Sequence, residues 1–188
     1  MNHISKLKDF GVGKKCLIIG GGHSIGKINW SKVGDYYVIC INNHLLQMAN
    51  MIIYYDRNMQ KHFKKNLIPD ETMLVGFKNN SIDYTCERCN YYYNFTDMIF
   101  GDSGFHALQF ADKIFNFKTT YLIGYDYEVR GDSYHYNELV SEPDKMKKFK
   151  TWSIGKVMNK YKDIVWNNEI FNCNKDSKLE LFKYALPY

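Results

Sequence analysis

The chain has 188 residues, 45% of them apolar, which suits an ordinary globular protein with one full hydrophobic core. Its formal charge of +5 favours the approach of a phosphorylated ligand but is too mild to make a nucleic-acid binder. No apolar run approaches the ~20 residues of a membrane span, Met1 to Lys6 lack the apolar segment of a secretory signal, and five cysteines fit reduced thiols, so the expected compartment is the cytoplasm.

In chain order, residues 1 to 15 read as a short polar lead-in. Lys15 to Ile19 is an apolar run of the kind buried on both faces of a sheet. It enters Gly20-Gly21-Gly22-His23-Ser24-Ile25-Gly26, where the backbone can turn sharply and approach a ligand closely. A helix opening near Ser24 would aim free N–H groups at the same loop, a site for an anion and most simply a phosphate. Ser24 to Val33 holds a short helix or turn, and Tyr36 to Ile41 is a β-branched and aromatic second strand ending in Asn42-Asn43. His44 to Asn50 reads as a short helix, Met51 to Tyr55 as a third strand closed by Asp56, Met59 to Lys65 as a basic helix, and Thr72 to Gly76 as a fourth strand.

Residues 78 to 100 carry no period and read as irregular structure or an edge hairpin. Gly104 to Phe117 is the clearest helix, with Asp102 or Ser103 able to cap its start. Thr119 to Gly124 is the next strand, ending in Tyr125-Asp126-Tyr127. A helix from Asp144 to Tyr161 follows Pro143, and its basic stretch Lys145 to Lys150 reads as a solvated face. Ile164 to Trp166 and Ile170 to Cys173 offer one or two last strands, and Asp176 to Phe182 a closing short helix. This alternation predicts a single Rossmann-like, three-layer α/β domain over residues 1–188, with a mainly parallel sheet.

In such sheets ligands bind beyond the carboxyl ends of the strands. Those ends carry Gly20 to Ser24, Asn42-Asn43, Asp56 and Asp126. The glycine loop is one residue longer than the dinucleotide fingerprint, and the second strand ends in Asn where NAD sites place an acid. No G-K-[ST] follows, which excludes a P-loop. A nucleotide is the expected ligand, with NAD disfavoured by these two departures. Cys86-Glu87-Arg88-Cys89 is half of a zinc ribbon without its other half, and it does not sit at the strand–helix junction of a thioredoxin-like motif, so no metal site is assigned. His135 lies beside Tyr134 in a loop that can return over the strand ends, where a histidine can serve as a general base.

The succession of an apolar strand, G-x-G-x-S, a strand ending in Asn, S-G opening a helix and a strand ending L-x-G-x-D resembles the bacterial CMP-sialic-acid-dependent sialyltransferases. It also resembles their relatives, the motility accessory factors and the 6-hydroxymethylpterin pyrophosphokinases. The likeness covers about residues 15 to 136, and Asn172 to Leu179 is similar to an N-x-x-x-x-S-x-L ending of the wider group. The resemblance implies that Gly20, Gly21, Gly22 and Ser24 hold the nucleotide phosphate, and that Asn42, Asp56, Ser103, Gly104 and Asp126 complete the nucleotide site. It implies that Tyr134 binds the leaving phosphate, with Glu128 replacing a second such tyrosine and His135 standing in for a catalytic histidine. Gly21 and His23 depart from the family's Asn and Pro.

The leading expectation is a nucleotide-sugar-dependent glycosyltransferase using a CMP- or UDP-type donor and a glycan or small-molecule acceptor, with His135 and Tyr134 as catalytic residues. The alternatives are a pyrophosphokinase holding Mg²⁺ and ATP through Asp56 and Asp126, and a non-catalytic nucleotide-binding protein. Nucleic acid is not an expected partner, and the oligomeric state, a homo-oligomer included, is left open.

Overall fold

The structure is a computed structural model that describes residues 1–42, 45–55, 68–94, 96–99, 101–127 and 154–188. Nine strands form one sheet: β1 (Asn2–His3), β2 (Lys15–Ile19), β3 (Tyr37–Ile41), β4 (Met51–Ile53), β5 (Met73–Phe77), β6 (Tyr91–Tyr93), β7 (Thr119–Ile123), β8 (Glu169–Asn172) and β9 (Lys183–Tyr184). Their spatial order is β1-β6-β5-β4-β3-β2-β7-β8-β9, and every pairing is parallel. The α/β class and the parallel sheet are therefore as the alternation of elements predicts.

Strand β2 shows why these residues pair here. Its apolar side chains alternate between two cores, with Cys16 and Ile18 on one face and Leu17 and Ile19 on the other, all fully buried. Flanked on both sides by sheet and on both faces by core, Cys16 to Ile19 present only apolar side chains. Each buried Ile or Leu contributes about 1.5–3 kcal/mol. On the first face lies helix α1 (Ser103–Gln109), which continues as a π-helical turn over Phe110–Ile114. There the Phe115 N–H reaches the Phe110 carbonyl at 2.8 Å. The same face carries Phe77, Tyr93, Phe105, Phe110, Phe115 and Phe117. The second face is covered among the described residues by short 3₁₀ turns at His23–Lys27 and Leu46–Met48, which insert Ile25 and Leu46. Helix α2 (Ile154–Lys162) sets Tyr161 into the first core. Among the described residues, no helix is long and apolar enough to cross a membrane.

Four expectations need correction. The lead-in is not featureless: β1 extends the sheet beside β6, and the 3₁₀ turn Ile4–Leu7 buries Ile4 and Leu7. The region from 78 to 94 is neither irregular nor a hairpin alone, because Tyr91–Tyr93 pairs in parallel with β5, through residues too few to show a period. Of the short helix or turn offered from Ser24, the structure takes the turn, a five-residue 3₁₀ segment at His23–Lys27, so the conditional α-helix start is not there. Asp176 to Phe182 forms no helix. Its backbone is claimed by side chains instead: the Asp176 N–H donates to Asn174 Oδ1 at 3.2 Å and the Leu179 N–H to Ser177 Oγ at 3.0 Å. Such local bonds compete directly with helical ones. The expected helix at Met59 to Lys65 and most of that at Asp144 to Tyr161 lie outside the described residues.

Candidate functional site at the carboxyl ends of the strands

Strand β2 is the switch point of the sheet. From it the order runs through β3, β4 and β5 on one side and through β7 and β8 on the other. Ile19 pairs with both Cys40 and Ile123, so the three central strands end at one level. A crevice at such a level is where open α/β sheets bind ligands. The segments that leave it are the glycine loop after β2, Asn42 after β3, Tyr54 and Tyr55 after β4, and Gly124 to Tyr127 after β7.

The glycine loop is tied to the end of β7. The Gly20 N–H donates to the Ile123 carbonyl at 2.8 Å and the Gly22 N–H to the Gly124 carbonyl at 2.9 Å. Gly124 has φ +73°, which lets its backbone fold against Gly20. Gly22 has an ordinary φ of −70°, so space alone demands glycine there. A Cβ on Gly22 would stand 2.7 Å from both Asp126 Cγ and the Gly124 carbonyl oxygen.

Asp126 locks this junction. It is 1% exposed. Its Oδ2 accepts the Ser24 N–H at 2.7 Å, and its Oδ1 accepts the Ser24 hydroxyl and the Asn174 amide, the latter at 3.0 Å. The Ser24 hydroxyl oxygen in turn accepts the Gly124 N–H at 3.2 Å. The sequence expectation placed Asp126 and Ser24 against a nucleotide; the structure brings them together, facing each other. A buried carboxylate must find donors, and these three satisfy it. The amides of Gly20, Gly22, Ser24 and Ile25 are all bonded within the protein.

The segment after β8 completes the brace. Ser177 donates to the Tyr125 carbonyl at 2.6 Å, the Asn172 amide to the same carbonyl at 3.4 Å, and the Lys178 N–H to the Asp126 carbonyl at 2.9 Å. Asn174 and Ser177 are thus site-shaping residues that sequence reasoning did not assign. Their signal was the Asn172 to Leu179 pattern itself, which showed a motif but not what it touches.

The start of α1 is bonded to the segment that leaves β7. Asp102 caps the helix, accepting the Phe105 N–H at 2.7 Å, and also accepts the Tyr127 hydroxyl at 2.9 Å. Burial pushes the Asp102 carboxyl above the usual carboxylate range. Tyr125 donates to the Gly104 carbonyl at 2.9 Å, fixing the Ser103-Gly104 turn. His106 is fully buried and accepts the Gly101 N–H on Nε2 at 2.9 Å, so the proton belongs on Nδ1. Burial, helped by the Lys160 charge, holds this imidazole down to about 3 and keeps it neutral. Ser103 and Gly104 are half-buried.

Asn42 differs from its neighbours. Its backbone is left-handed, φ +57°, and its N–H donates to the Ile53 carbonyl at 3.1 Å. Its Oδ1 is buried and has no hydrogen-bond partner among the described residues. A buried amide oxygen left bare costs ~1–3 kcal/mol, which a donor on a ligand would recover. Gly21 is buried in the glycine loop. Asp56, Tyr134 and His135 lie outside the described residues. Among the described residues, no group of three or more His, Cys, Asp or Glu side chains is placed to hold a metal ion.

No family model matches the chain, and no curated protein matches it in sequence. Its fold is similar to solved sialyltransferases. One is the sialyltransferase CST-II in complex with a trisaccharide acceptor and CMP, at 16% identity, covering 93% of this chain and 86% of that one, with a TM-score of 0.58. Another is CstII from Campylobacter jejuni with cytidine-5'-monophosphate, at 16% identity over 94% and 86% of the two chains, with a TM-score of 0.60. A third holds CMP-3FNeuAc in CstII from Campylobacter jejuni, at 17% identity over 93% and 87%, with a TM-score of 0.54. At this identity the likeness establishes a sialyltransferase-like fold.

Proposed function

We propose that this chain is a nucleotide-sugar-dependent glycosyltransferase that takes a cytidine monophosphate sugar as donor and transfers the sugar to a hydroxyl acceptor. The observation that carries the reading is Asn42: a buried amide oxygen, bare among the described residues, at the end of the strand beside the glycine loop. A ribose hydroxyl or the exocyclic amine of a base would satisfy it. Solved proteins of the same fold, bound to CMP, a CMP-sugar analogue and a trisaccharide acceptor, support this choice of ligand.

In this reading the glycine loop, braced by Asp126, forms the floor of the nucleotide site, and Ser103 and Gly104 form its rim. His135 takes the proton of the acceptor hydroxyl as that oxygen bonds to the anomeric carbon. The bond from the sugar to the phosphate breaks, and CMP leaves with Tyr134 donating a hydrogen bond to its phosphate. Catalysis is positioning plus a general base. The pyrophosphokinase alternative fits less well. It needs Asp126 as a cation ligand, yet this carboxylate is ringed by N–H and O–H donors that would have to leave first.

Thermal unfolding with CMP, UDP, GDP, ATP and NAD, each with and without Mg²⁺, tests the reading. CMP at a hundred times its Kd should add about 2.7 kcal/mol of stability without Mg²⁺. With a CMP-sugar donor, His135→Ala should lower turnover by about 10²–10⁴-fold while CMP still binds. Stabilisation by ATP that depends on Mg²⁺, or silence across the panel, would overturn the proposal.

A further inference from the structure

The pair Cys86 and Cys89 stands apart from the crevice chemistry, and neither half of its sequence reading accounts for its geometry. The two residues close a tight turn between β5 and β6, the Cys89 N–H donating to the Cys86 carbonyl at 2.9 Å. Their sulfurs lie 3.5 Å apart, already in contact. Cys86 is half-buried, whereas Cys89 is buried at 6% exposure. The buried sulfur is held from two sides: the Cys86 N–H donates to it at 3.2 Å, and the fully buried Tyr54 hydroxyl bonds it at 2.9 Å. Arg88, between the two, turns away and donates to the carbonyls of Ile68 and Pro69 at 3.4 and 3.3 Å.

We infer that Cys86 and Cys89 form a redox-active dithiol, with Cys86 the attacking and Cys89 the resolving sulfur, which exchanges with low-molecular-weight disulfides such as oxidised glutathione. The exposure gradient assigns the roles, because an incoming disulfide can reach only the outer sulfur. The charge distribution agrees: a hydrogen bond from Cys89, with further donors around it, holds the Cys86 thiol down to about 6, while Cys89 is raised. In the first step the Cys86 thiolate attacks one sulfur of the small disulfide. A mixed disulfide forms and one small thiolate leaves, taking a proton from water. In the second step Cys89 gives its proton to solvent and attacks Cys86 Sγ, expelling the second small thiol. The protein loses two hydrogens and becomes a disulfide, and the small disulfide is reduced to two thiols. The other three cysteines, Cys16, Cys40 and Cys173, are all buried free thiols, and burial pushes each of them up, as an inert structural thiol requires.

The test equilibrates the full chain with mixtures of reduced and oxidised glutathione, quenches in acid, and reads intact mass and peptide maps. The wild-type protein should lose two hydrogens and show one Cys86–Cys89 linkage. Cys89→Ser should stop with one glutathione on Cys86, and Cys86→Ser should take up none under native conditions. Independently of any variant, alkylation of wild-type Cys86 should keep its rate down to about pH 6, well below the ~8.5 of an ordinary thiol. Two results would overturn the inference. One is a wild-type pair that stays reduced in oxidised glutathione while Cys89→Ser gains no adduct. The other is stoichiometric zinc in the purified protein that is lost in the double serine variant, which would make the pair metal ligands.

Discussion

Replacing Asp126 by Asn separates an internal brace from a ligand-facing acid. The side chain keeps its size and loses its charge. In the native protein Oδ2 accepts the Ser24 N–H at 2.7 Å, while Oδ1 accepts the Ser24 hydroxyl and the Asn174 amide. An asparagine has one acceptor atom, so whichever way it is turned its NH₂ points at a donor. Hydrogen bonds to a buried charged group are worth about 1.5–3 kcal/mol each, and the variant should therefore unfold about 3 kcal/mol more easily, lowering Tm by about 6–12 °C in a chain of this size. Ser24→Ala should cost about 2 kcal/mol, because it strips one partner from Asp126 and leaves the Gly124 N–H bare. As the two residues share one bond network, the double variant should fall short of the sum by about 1 kcal/mol or more. Urea unfolding of the four proteins measures the cycle, and CMP titration of the folded variants follows affinity. A reading with Asp126 directed at the ligand predicts the reverse: unchanged stability and a lost ligand. Additive, sub-1 kcal/mol effects in the cycle would refute the brace.

Gly22→Ala should destabilise the fold by about 1–3 kcal/mol, since its Cβ would stand 2.7 Å from Asp126 Cγ and the Gly124 carbonyl; a neutral result by urea unfolding would show that the junction can open. Asn42→Gly keeps the left-handed backbone and removes the whole side chain, the bare amide oxygen with it, so CMP affinity should fall about tenfold while the fold is retained, as read by calorimetry; equal affinity would remove Asn42 from the site. His106 titrates near 3 when folded and near 6.5 when unfolded, so the unfolded chain binds the extra proton and stability is lost as pH falls from about 6.5 towards 3. Between pH 7 and pH 5 that loss should be about 2 kcal/mol, and His106→Gln should show a shallower slope; identical slopes in the two proteins would assign the acid sensitivity elsewhere.

Much of the fold was legible because buried parallel strands leave a simple mark. Cys16–Ile19 and Val38–Ile41 are apolar on both faces, and Thr119–Ile123 is β-branched and apolar but for its two buried threonines; runs of that kind between turn residues have few other destinations. The helix after Asp102 was equally plain, since its cap and its apolar spacing agree. Short elements left no such mark: β1, β6 and β9 have two or three residues each, too few for a period, and exist because a neighbouring strand offers its edge. The closing segment failed as a helix for a related reason, its Asn174 and Ser177 side chains finding backbone partners that helical spacing does not reveal.

The sequence by itself determined where the chemistry must gather, because polar residues at the ends of apolar strands all emerge at one edge of a parallel sheet. It did not determine what those residues face. Ser24 and Asp126 are 102 positions apart, and only the pairing of β2 with β7 sets them in contact. Asn174 joins them from β8's far end by the same logic. A carboxylate at a strand end reads identically in sequence whether it awaits a ligand or satisfies its own loop. The number of donors around it decides which, and that number is fixed by tertiary packing. Asn42 is the complementary case, a strand-end amide whose oxygen the described fold leaves without a donor. Local sequence sets which polar groups reach the crevice, and the register of strands distant in the chain sets which of them remain to bind.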